Sequence, residues 1–298
     1  MNLATVAAVI AMLGWAASGI IVKSITDIGP LAIVFWRMWM YTVLVIGFLY
    51  LRGTPLTRKG IRFSFAGGAA LGVDLLLFYA AVHYTTIANA TVITACLPIL
   101  MMLLAGPVFG EAVKLRDWLV AGIAVLGVAA VAYGSSGMPQ WSPTGDLLSL
   151  GALVAWALYF IFSKLSQEHI ASTEYTAGSA LIATLVATPV AVFSGQVFVM
   201  PSVDAWVWLI VLALGPGVAS HMLMNWSIRG LSAALSSTLT LAIPIAATLM
   251  AWVFLGEKIV ISQAIGICVV VASLSYLVLT TNFTSSTPAK NLESSQSP

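Results

Sequence analysis

Long apolar stretches separated by short polar links run along the whole chain of 298 residues. A transmembrane helix needs about 20 predominantly apolar residues, and ten stretches reach that length. The links are too short to hold a soluble domain. The pattern therefore predicts an all-α, polytopic membrane protein with ten transmembrane helices, at residues 3–25, 30–52, 60–82, 86–109, 115–134, 146–166, 173–194, 204–226, 232–255 and 260–281.

The apolar pattern of the second half repeats that of the first half. Residues 86–111 align with residues 232–257 at a constant shift of 146 positions, and residues nearer the N-terminus align at a shift of 141. A duplicated half within a very apolar chain is typical of a transporter built from two repeats. Residue types are kept at the aligned pairs Trp15/Trp156, Lys23/Lys164, Ala88/Ala234, Thr94/Thr240, Pro98/Pro244, Gly110/Gly256 and Glu111/Glu257.

The duplication divides the ten spans into two halves of five. The predicted domains are a first repeat at residues 1–139, a second repeat at residues 140–282 and a disordered cytoplasmic tail at residues 283–298. Because five is odd, the second repeat must enter the membrane from the opposite side. We therefore expect two inverted repeats related by a pseudo-two-fold axis in the membrane plane. Such repeats give a carrier two similar gates, one facing each side, which favours alternating access.

Composition and charge support the membrane assignment and set the orientation. Hydrophobic residues make up 60% of the chain and charged residues 7%, whereas soluble domains carry about 25% charged residues. With the N-terminus in the cytoplasm, nine Lys and Arg residues fall on the inner side and only Lys23 and Lys258 on the outer side, as the positive-inside rule requires. We expect a multi-pass protein of the cell (inner) membrane with both termini cytoplasmic. The expected partners of this monomer are a small-molecule substrate and the lipid bilayer, with no nucleic acid.

The whole pattern resembles the drug/metabolite transporter superfamily, in its EamA-type branch of small-molecule exporters. The resemblance rests on ten spans in two halves, on Pro98 and Pro244 in the middle of spans four and nine, and on the Gly-Glu pair that closes each of these spans. It implies a central cavity lined by spans 1, 3, 4, 6, 8 and 9, with spans 5 and 10 peripheral. Within the branch the chain is most similar to bacterial exporters of aromatic and other hydrophobic amino acids. Drugs, nucleosides and sugars are the alternative substrates.

Two other classes of membrane protein compete with a secondary transporter. An ion channel would need a filter-like loop or a ring of acidic residues, and the sequence contains neither. An intramembrane enzyme would need a catalytic set, but the chain has no H-E-x-x-H, G-x-S-x-G or Walker A motif. We therefore expect no enzyme activity, no catalytic residues, no cofactor and no metal site.

Pro98 and Pro244 lie near the midpoints of their spans. Proline removes a backbone hydrogen bond and bends a helix, so each is either a static kink that helps packing or a hinge between a fixed and a moving half. Their equivalent positions in the two repeats favour hinges. Gly215-Pro216-Gly217 in span eight and Gly67-Gly68 in span three also suit bending, although glycine is common at close helix contacts.

Asp74 in span three and Arg37 in span two lie at similar depth in the membrane. A charge inside a span is costly and usually has a partner or a task, so we predict a buried ion pair between them. The alternative is that Asp74 contacts a substrate amine or a coupling proton. On a helix, Asp74 lies about 140° from Tyr79 and about 180° from His83. Only one of these faces can line a cavity, and we expect it to be the face of Tyr79 and His83.

Trp15 and Trp156 occupy equivalent positions about halfway through the bilayer, although tryptophan usually lies at membrane interfaces. They either fill space between helices or flank a substrate ring by stacking or edge-to-face contact. His221 and Asn225 share one face of span eight, where they either contact a carboxylate or form interhelical hydrogen bonds. The predicted substrate-binding residues are Trp15, Tyr79, His83, Asn89, Trp156, Tyr159, His221 and Asn225.

Glu111 and Glu257 each follow a glycine, directly before spans five and ten begin. A carboxylate near a helix N-terminus is favourable by about 0.3–1 kcal/mol. We predict that both residues cap helices and take no part in coupling.

Overall fold

The computed structural model describes residues 3–136 and 142–280, without the side chains of residues 135 and 136. Within these ranges the regular structure is helical, and ten helical segments are long and apolar enough to cross a membrane. The ten predicted spans are therefore confirmed. The predicted tail at residues 283–298 lies outside the described residues.

Seven spans are continuous helices and three are interrupted. The first repeat contains α1 (Leu3–Lys23), α2 (Pro30–Leu51), α3 (Arg58–Tyr84), span four as α4 (Ile87–Thr94) and α5 (Leu97–Phe109), and α6 (Leu115–Ser136). The second repeat contains α7 (Pro143–Ser166), α8 (Ser172–Phe193), span eight as α9 (Val203–Leu212), a π-helical segment (Ala213–Ala219) and α10 (Ser220–Ile228), span nine as α11 (Ala233–Leu239) and α12 (Ala242–Leu255), and α13 (Ile261–Thr280). A short 3₁₀ helix, Gln196–Phe198, joins α8 to α9.

The central helices of each repeat pack mainly against helices of the other repeat. In the first repeat, α3 packs along α7 and α8, and α1 packs along α10 and α12. The peripheral helices α6 and α13 pack against each other, as do α2 and α8. One hydrophobic core therefore extends through both repeats, with Met12, Tyr41, Leu71, Phe160 and Met224 among its buried members.

Small residues on α3 allow its close contact with α8. A Cβ atom at Gly68 would lie 2.9 Å from the backbone of Ser179, and one at Gly72 would lie 2.8 Å from Cβ of Val186. At Gly67 a Cβ atom would collide with the Tyr175 hydroxyl. The sequence allowed Gly67-Gly68 to be a bend, but α3 is continuous there. The two glycines instead allow close contact between helices, which is a common role of glycine in membrane proteins.

A polar contact also joins the two repeats at the end of the bundle where α1 finishes. The backbone N–H of Ser202 donates a 2.7 Å hydrogen bond to Oδ2 of Asp27. This bond stabilises the charged carboxylate and so lowers the pKa of Asp27. It ties the link between α1 and α2 to the start of α9.

Candidate functional site

Spans four and nine break at equivalent points, just before their prolines. A proline ring clashes with the carbonyl group four residues earlier, which belongs to Thr94 for Pro98 and to Thr240 for Pro244. Helix α4 ends at Thr94 and α11 ends one residue before Thr240. The two threonine hydroxyls donate hydrogen bonds back to the carbonyls of their own turns, at 2.9 Å to Ala90 and 2.6 Å to Ser237. In each span, a turn of two residues thus interrupts the regular α-helix.

Span eight is interrupted differently, by a π-helical segment around Pro216. A π segment changes the helical register, and such segments are frequent at functional sites. His221 follows two residues after it, at the start of α10. Helix α1 packs closely against this point of span eight, because a Cβ atom at Gly14 would collide with the Ser220 hydroxyl.

Aromatic rings from both repeats meet at the centre of the bundle. The ring centroids of Trp15 and Trp156 lie 6.5 Å apart in an edge-to-face arrangement. The Trp15 ring also meets the His221 ring edge-to-face at 5.0 Å, and the Tyr41 ring stacks on His221 at 5.4 Å. Both tryptophans are half-buried, whereas Tyr41 and His221 are buried. We call Trp15, Tyr41, Trp156, Tyr159 and His221 the central aromatic cluster.

A buried hydrogen-bond network holds two members of this cluster, Tyr159 and His221, in place. The Tyr159 hydroxyl lies 3.2 Å from Nδ1 of His221 and accepts a 3.0 Å bond from Nδ2 of Asn225. Asn225 also donates to Thr176 at 3.0 Å and accepts from Ser163 at 2.8 Å. The predicted shared face of His221 and Asn225 is confirmed, since both reach one hydroxyl group. Asn225 is fully buried and its amide is fully engaged, so in this structure it forms interhelical hydrogen bonds and does not face a ligand.

The predicted substrate-binding residues separate into two groups. Trp15, Trp156, Tyr159, His221 and Asn225 come together at the centre, and Tyr79 packs half-buried against the same hydrophobic core. Two other predicted residues lie away from the centre. His83 is exposed at the end of α3, where it contacts Tyr84, because the helix carries it beyond the cluster. Asn89 lies on the next helix, α4, beside Asp146 of α7. Nδ2 of Asn89 is 3.5 Å from Oδ1 of Asp146.

The predicted ion pair between Arg37 and Asp74 is absent. Among the described residues, ion pairs join Lys23 to Glu257, Arg116 to Asp117 and Lys164 to Glu111 only. The physical reason is packing, because α3 lies mainly against α7 and α8 and has little contact with α2. Arg37 instead lies one helical turn before Tyr41 on α2. It is therefore on the face of α2 from which Tyr41 stacks on His221.

A buried ion pair lies at the end of the bundle where α1 begins. Nζ of Lys164 donates to Oε1 of Glu111 at 2.6 Å and to the Leu231 carbonyl at 3.1 Å. Glu111 also accepts the backbone N–H groups of Ala233 at 2.8 Å and Ala234 at 3.3 Å. The two side chains are 16% and 7% exposed. This pair, which we call the buried latch, ties the ends of α5 and α7 to the start of α11.

The equivalent pair at the opposite end of α1 is exposed. Lys23 contacts Glu257 at 2.7 Å, with side chains 63% and 51% exposed. Lys23 aligns with Lys164, and Glu257 with Glu111, so the sequence repeat relates this exposed latch to the buried one. The sequence prediction for the glutamates was wrong in part. Glu111 caps α11 of the other repeat, and neither residue caps the helix that follows it.

Left-handed glycines explain how the glutamates reach across. Gly110 and Gly256 end α5 and α12 with φ of 66° and 68°, a conformation that glycine adopts without steric cost. The chain turns away from the helix axis at this point. The next side chain, Glu111 or Glu257, is thereby directed towards the neighbouring helix ends.

The two halves of spans four and nine differ in how closely they pack. At the end with the buried latch, α5 and α11 lie against each other, and every residue of α11 is buried. At the other end, α4 and α12 are largely separated, and most residues of α12 are partly or fully exposed. Spans four and nine therefore meet closely at the end with the buried latch and lie apart at the end with the exposed latch.

Comparison with known proteins agrees with this architecture. The EamA-like transporter family model matches residues 2–133 and residues 143–279. The chain belongs to the EamA-like transporter family. This confirms the resemblance to the drug/metabolite transporter superfamily and makes the protein a multi-pass membrane protein and a membrane transporter.

Two curated relatives are themselves described only as uncharacterized transporters. YetK of Bacillus subtilis (strain 168) is 26% identical over 247 residues, covering 80% of this chain and 74% of the relative. The protein sll1319 of Synechocystis sp. (strain ATCC 27184 / PCC 6803 / Kazusa) is 23% identical over 229 residues, covering 75% and 68%. A crystal structure with 20% identity superposes with a TM-score of 0.82 over 94% of this chain and 99% of its own. That structure supports the fold.

Membership of this family points to transport and away from an enzyme. In the part of the chain that the structure describes, no group of three or more His, Cys, Asp or Glu residues could hold a metal ion. The central site instead offers ring faces, a few hydroxyl groups and one guanidinium. Such a surface can bind an apolar ring and orient a small polar group.

Proposed function

We propose that this protein is a secondary transporter that exports aromatic and other hydrophobic amino acids by alternating access. The observation that carries the proposal is the pair of half-buried tryptophans, Trp15 and Trp156, one from each repeat. They meet 6.5 Å apart beside His221, where the central helices of both repeats converge. Edge-to-face and offset contacts between aromatic rings contribute about 0.5–1.5 kcal/mol beyond burial of their area, so a substrate ring is a good partner for this surface.

The two symmetry-related latches support alternating access. Inverted repeats give two gates of the same construction, and the Lys–Glu pairs occupy the two expected places. One latch is buried and the other is exposed. This difference fits a carrier conformation in which one side is closed more tightly than the other. The helix breaks before Pro98 and Pro244 supply flexible points at which the halves of spans four and nine can move.

The orientation forms a separate part of the proposal. The positive-inside rule places the buried latch on the cytoplasmic side, with the termini. The links between α2 and α3 and between α12 and α13 then face opposite sides, and their residues Thr54 and Lys258 are exposed. In intact cells, a membrane-impermeant thiol reagent should label Lys258→Cys and spare Thr54→Cys. The reverse pattern would invert the topology.

The substrate proposal is tested by uptake into liposomes that contain only this protein. The panel should hold aromatic and branched aliphatic amino acids together with nucleosides, sugars and hydrophobic drugs. We expect saturable uptake of phenylalanine, tyrosine or tryptophan that unlabelled aromatic amino acids compete away. Uptake confined to a nucleoside, a sugar or a drug would replace the amino acid assignment while leaving the carrier mechanism in place.

A further inference from the structure

Two hydrogen-bond donors on one face of α2 have no partner in the described structure. Nε of Arg37 is buried without an acceptor, and so is the hydroxyl of Tyr41 one turn later. Tyr41 is only 1% exposed, and Arg37 is half-buried. Buried polar groups in native proteins are nearly always hydrogen-bonded. Two unsatisfied donors within one helical turn therefore indicate a missing acceptor.

Both donors lie at the central aromatic cluster, of which Tyr41 is a member. The Tyr41 ring stacks on His221 at 5.4 Å, which holds its hydroxyl beside the cluster. Arg37 lies four residues before Tyr41 on α2, so the two side chains share one face of this helix. The guanidinium thus lies on the face of α2 that meets the central aromatic cluster. No carboxylate of the described chain forms an ion pair with it.

An unpaired cation inside a membrane protein is unfavourable, so it indicates a functional site by default. The chain has an acid at similar depth, Asp74, but the fold places it elsewhere. A guanidinium carries five donors in a planar fork that fits a carboxylate with two parallel bonds. The Tyr41 hydroxyl can donate one more bond. The surroundings contribute ring surface from Trp15, Tyr41 and His221.

We propose that Arg37 and Tyr41 bind the carboxylate of the transported molecule, while its apolar part lies against Trp15 and Trp156. The ligand class is a small carboxylate with an aromatic or bulky aliphatic group. This assignment rests on the proposed function for the identity of the substrate. The carboxylate site itself is independent of whether that substrate carries an α-amino group.

The test compares ligands that differ only in the carboxylate. Purified protein is titrated with L-phenylalanine, L-phenylalaninamide, 3-phenylpropanoate and 2-phenylethylamine, and binding is followed by thermal stabilisation and by competition for uptake in liposomes. The variants are Arg37→Gln, Tyr41→Phe and, as matched control, Arg52→Gln. The control removes the same charge from the exposed end of the same helix.

We expect Arg37→Gln to weaken binding of the two carboxylates by about 10- to 100-fold, because a hydrogen bond to a charged group is lost. Phenylalaninamide and phenylethylamine should bind the variant and the wild type alike. Tyr41→Phe keeps the stacked ring and should shift the carboxylates in the same direction by a smaller factor. Arg52→Gln should match the wild type. Without ligand, Arg37→Gln should melt at the same temperature as the wild type or higher, because it leaves no partner unpaired.

Failure of this inference differs from failure of the proposed function. If the wild type transports no amino acid but 3-phenylpropanoate still stabilises it more than Arg37→Gln, the substrate assignment falls and the carboxylate site stands. If Arg37→Gln binds every carboxylate of the panel as tightly as the wild type, or if none of them stabilises the wild type more than the variant, the inference is overturned.

Discussion

Removal of the negative charge of the buried latch should open the side of the protein that this latch closes. In the Glu111→Gln variant, Lys164 loses an ion pair of 2.6 Å, and the backbone N–H groups of Ala233 and Ala234 lose a charged acceptor. Breaking one partner of a buried ion pair costs about 3–5 kcal/mol. The side chains are only 16% and 7% exposed, so solvent screening reduces this figure little.

The matched control is Glu257→Gln in the exposed latch. With side chains 63% and 51% exposed, this pair contributes about 0–1 kcal/mol. A difference of about 3 kcal/mol between the two variants corresponds to about 100-fold in the equilibrium between closed and open forms. The symmetry-related residues should therefore behave very differently, although their local sequences are alike.

A thiol placed beneath the buried latch measures this opening. Ser236 of α11 is fully buried and its hydroxyl has no hydrogen-bond partner, so Ser236→Cys costs little. In a background with Cys96→Ala and Cys268→Ala, the labelling rate should rise at least tenfold in Glu111→Gln and change little in Glu257→Gln. The Glu111→Gln, Lys164→Gln double variant leaves no charge stranded and should also label faster than the wild type. Equal labelling in the wild type and Glu111→Gln would refute a role for the latch in closure.

Three further predictions concern the central site and the packing behind it. Trp15→Ala and Tyr79→Ala should each impair uptake of an aromatic amino acid at normal membrane expression, and wild-type uptake in both variants would assign the rings to packing. Asn225→Leu should lower the melting temperature, because Tyr159, Ser163 and Thr176 each lose a hydrogen bond to the amide, worth about 0.5–1.5 kcal/mol net; an unchanged melting temperature would contradict the network. Gly68→Ala should destabilise the protein by about 1–3 kcal/mol through overpacking against Ser179, whereas Gly19→Ala, where a new Cβ meets no atom within 4 Å, should be neutral in the same unfolding assay.

The spans and the central tryptophans could be predicted because they depend on local pattern and symmetry. Apolar length alone sets the ten spans. Trp15 and Trp156 are equivalent under the pseudo-two-fold axis and lie at mid-span, so a location near that axis brings them together. The prolines likewise act on their own helices, through a clash that needs no tertiary information.

The ion pair of Arg37 and Asp74 could not be judged from depth alone. Equal depth leaves open which helices are neighbours and which way each side chain points. The fold separates the two residues because α3 packs against α7 and α8 of the other repeat. A single sequence contains no signal that α3 packs against helices of the other repeat.

The two latches, by contrast, could have been found in the sequence. Lys23 and Glu257 end their spans on one side of the membrane, and Lys164 and Glu111 end theirs on the other. Inverted repeats therefore bring a lysine of one repeat and a glutamate of the other to each end. This pairing is missed when each glutamate is considered only as a cap for the helix that follows it.

The central claim is that the protein is a carrier whose single central site faces the two sides of the membrane in turn. Counterflow tests it most directly, in liposomes containing only this protein, loaded with unlabelled phenylalanine and diluted into a trace of labelled phenylalanine. The account predicts a transient accumulation of label above the external concentration. This accumulation should be abolished in Trp15→Ala and should keep its wild-type size in the control variant Arg52→Gln. Label that only equilibrates, at a rate that does not saturate and is indifferent to the internal amino acid, would show a channel and contradict the account.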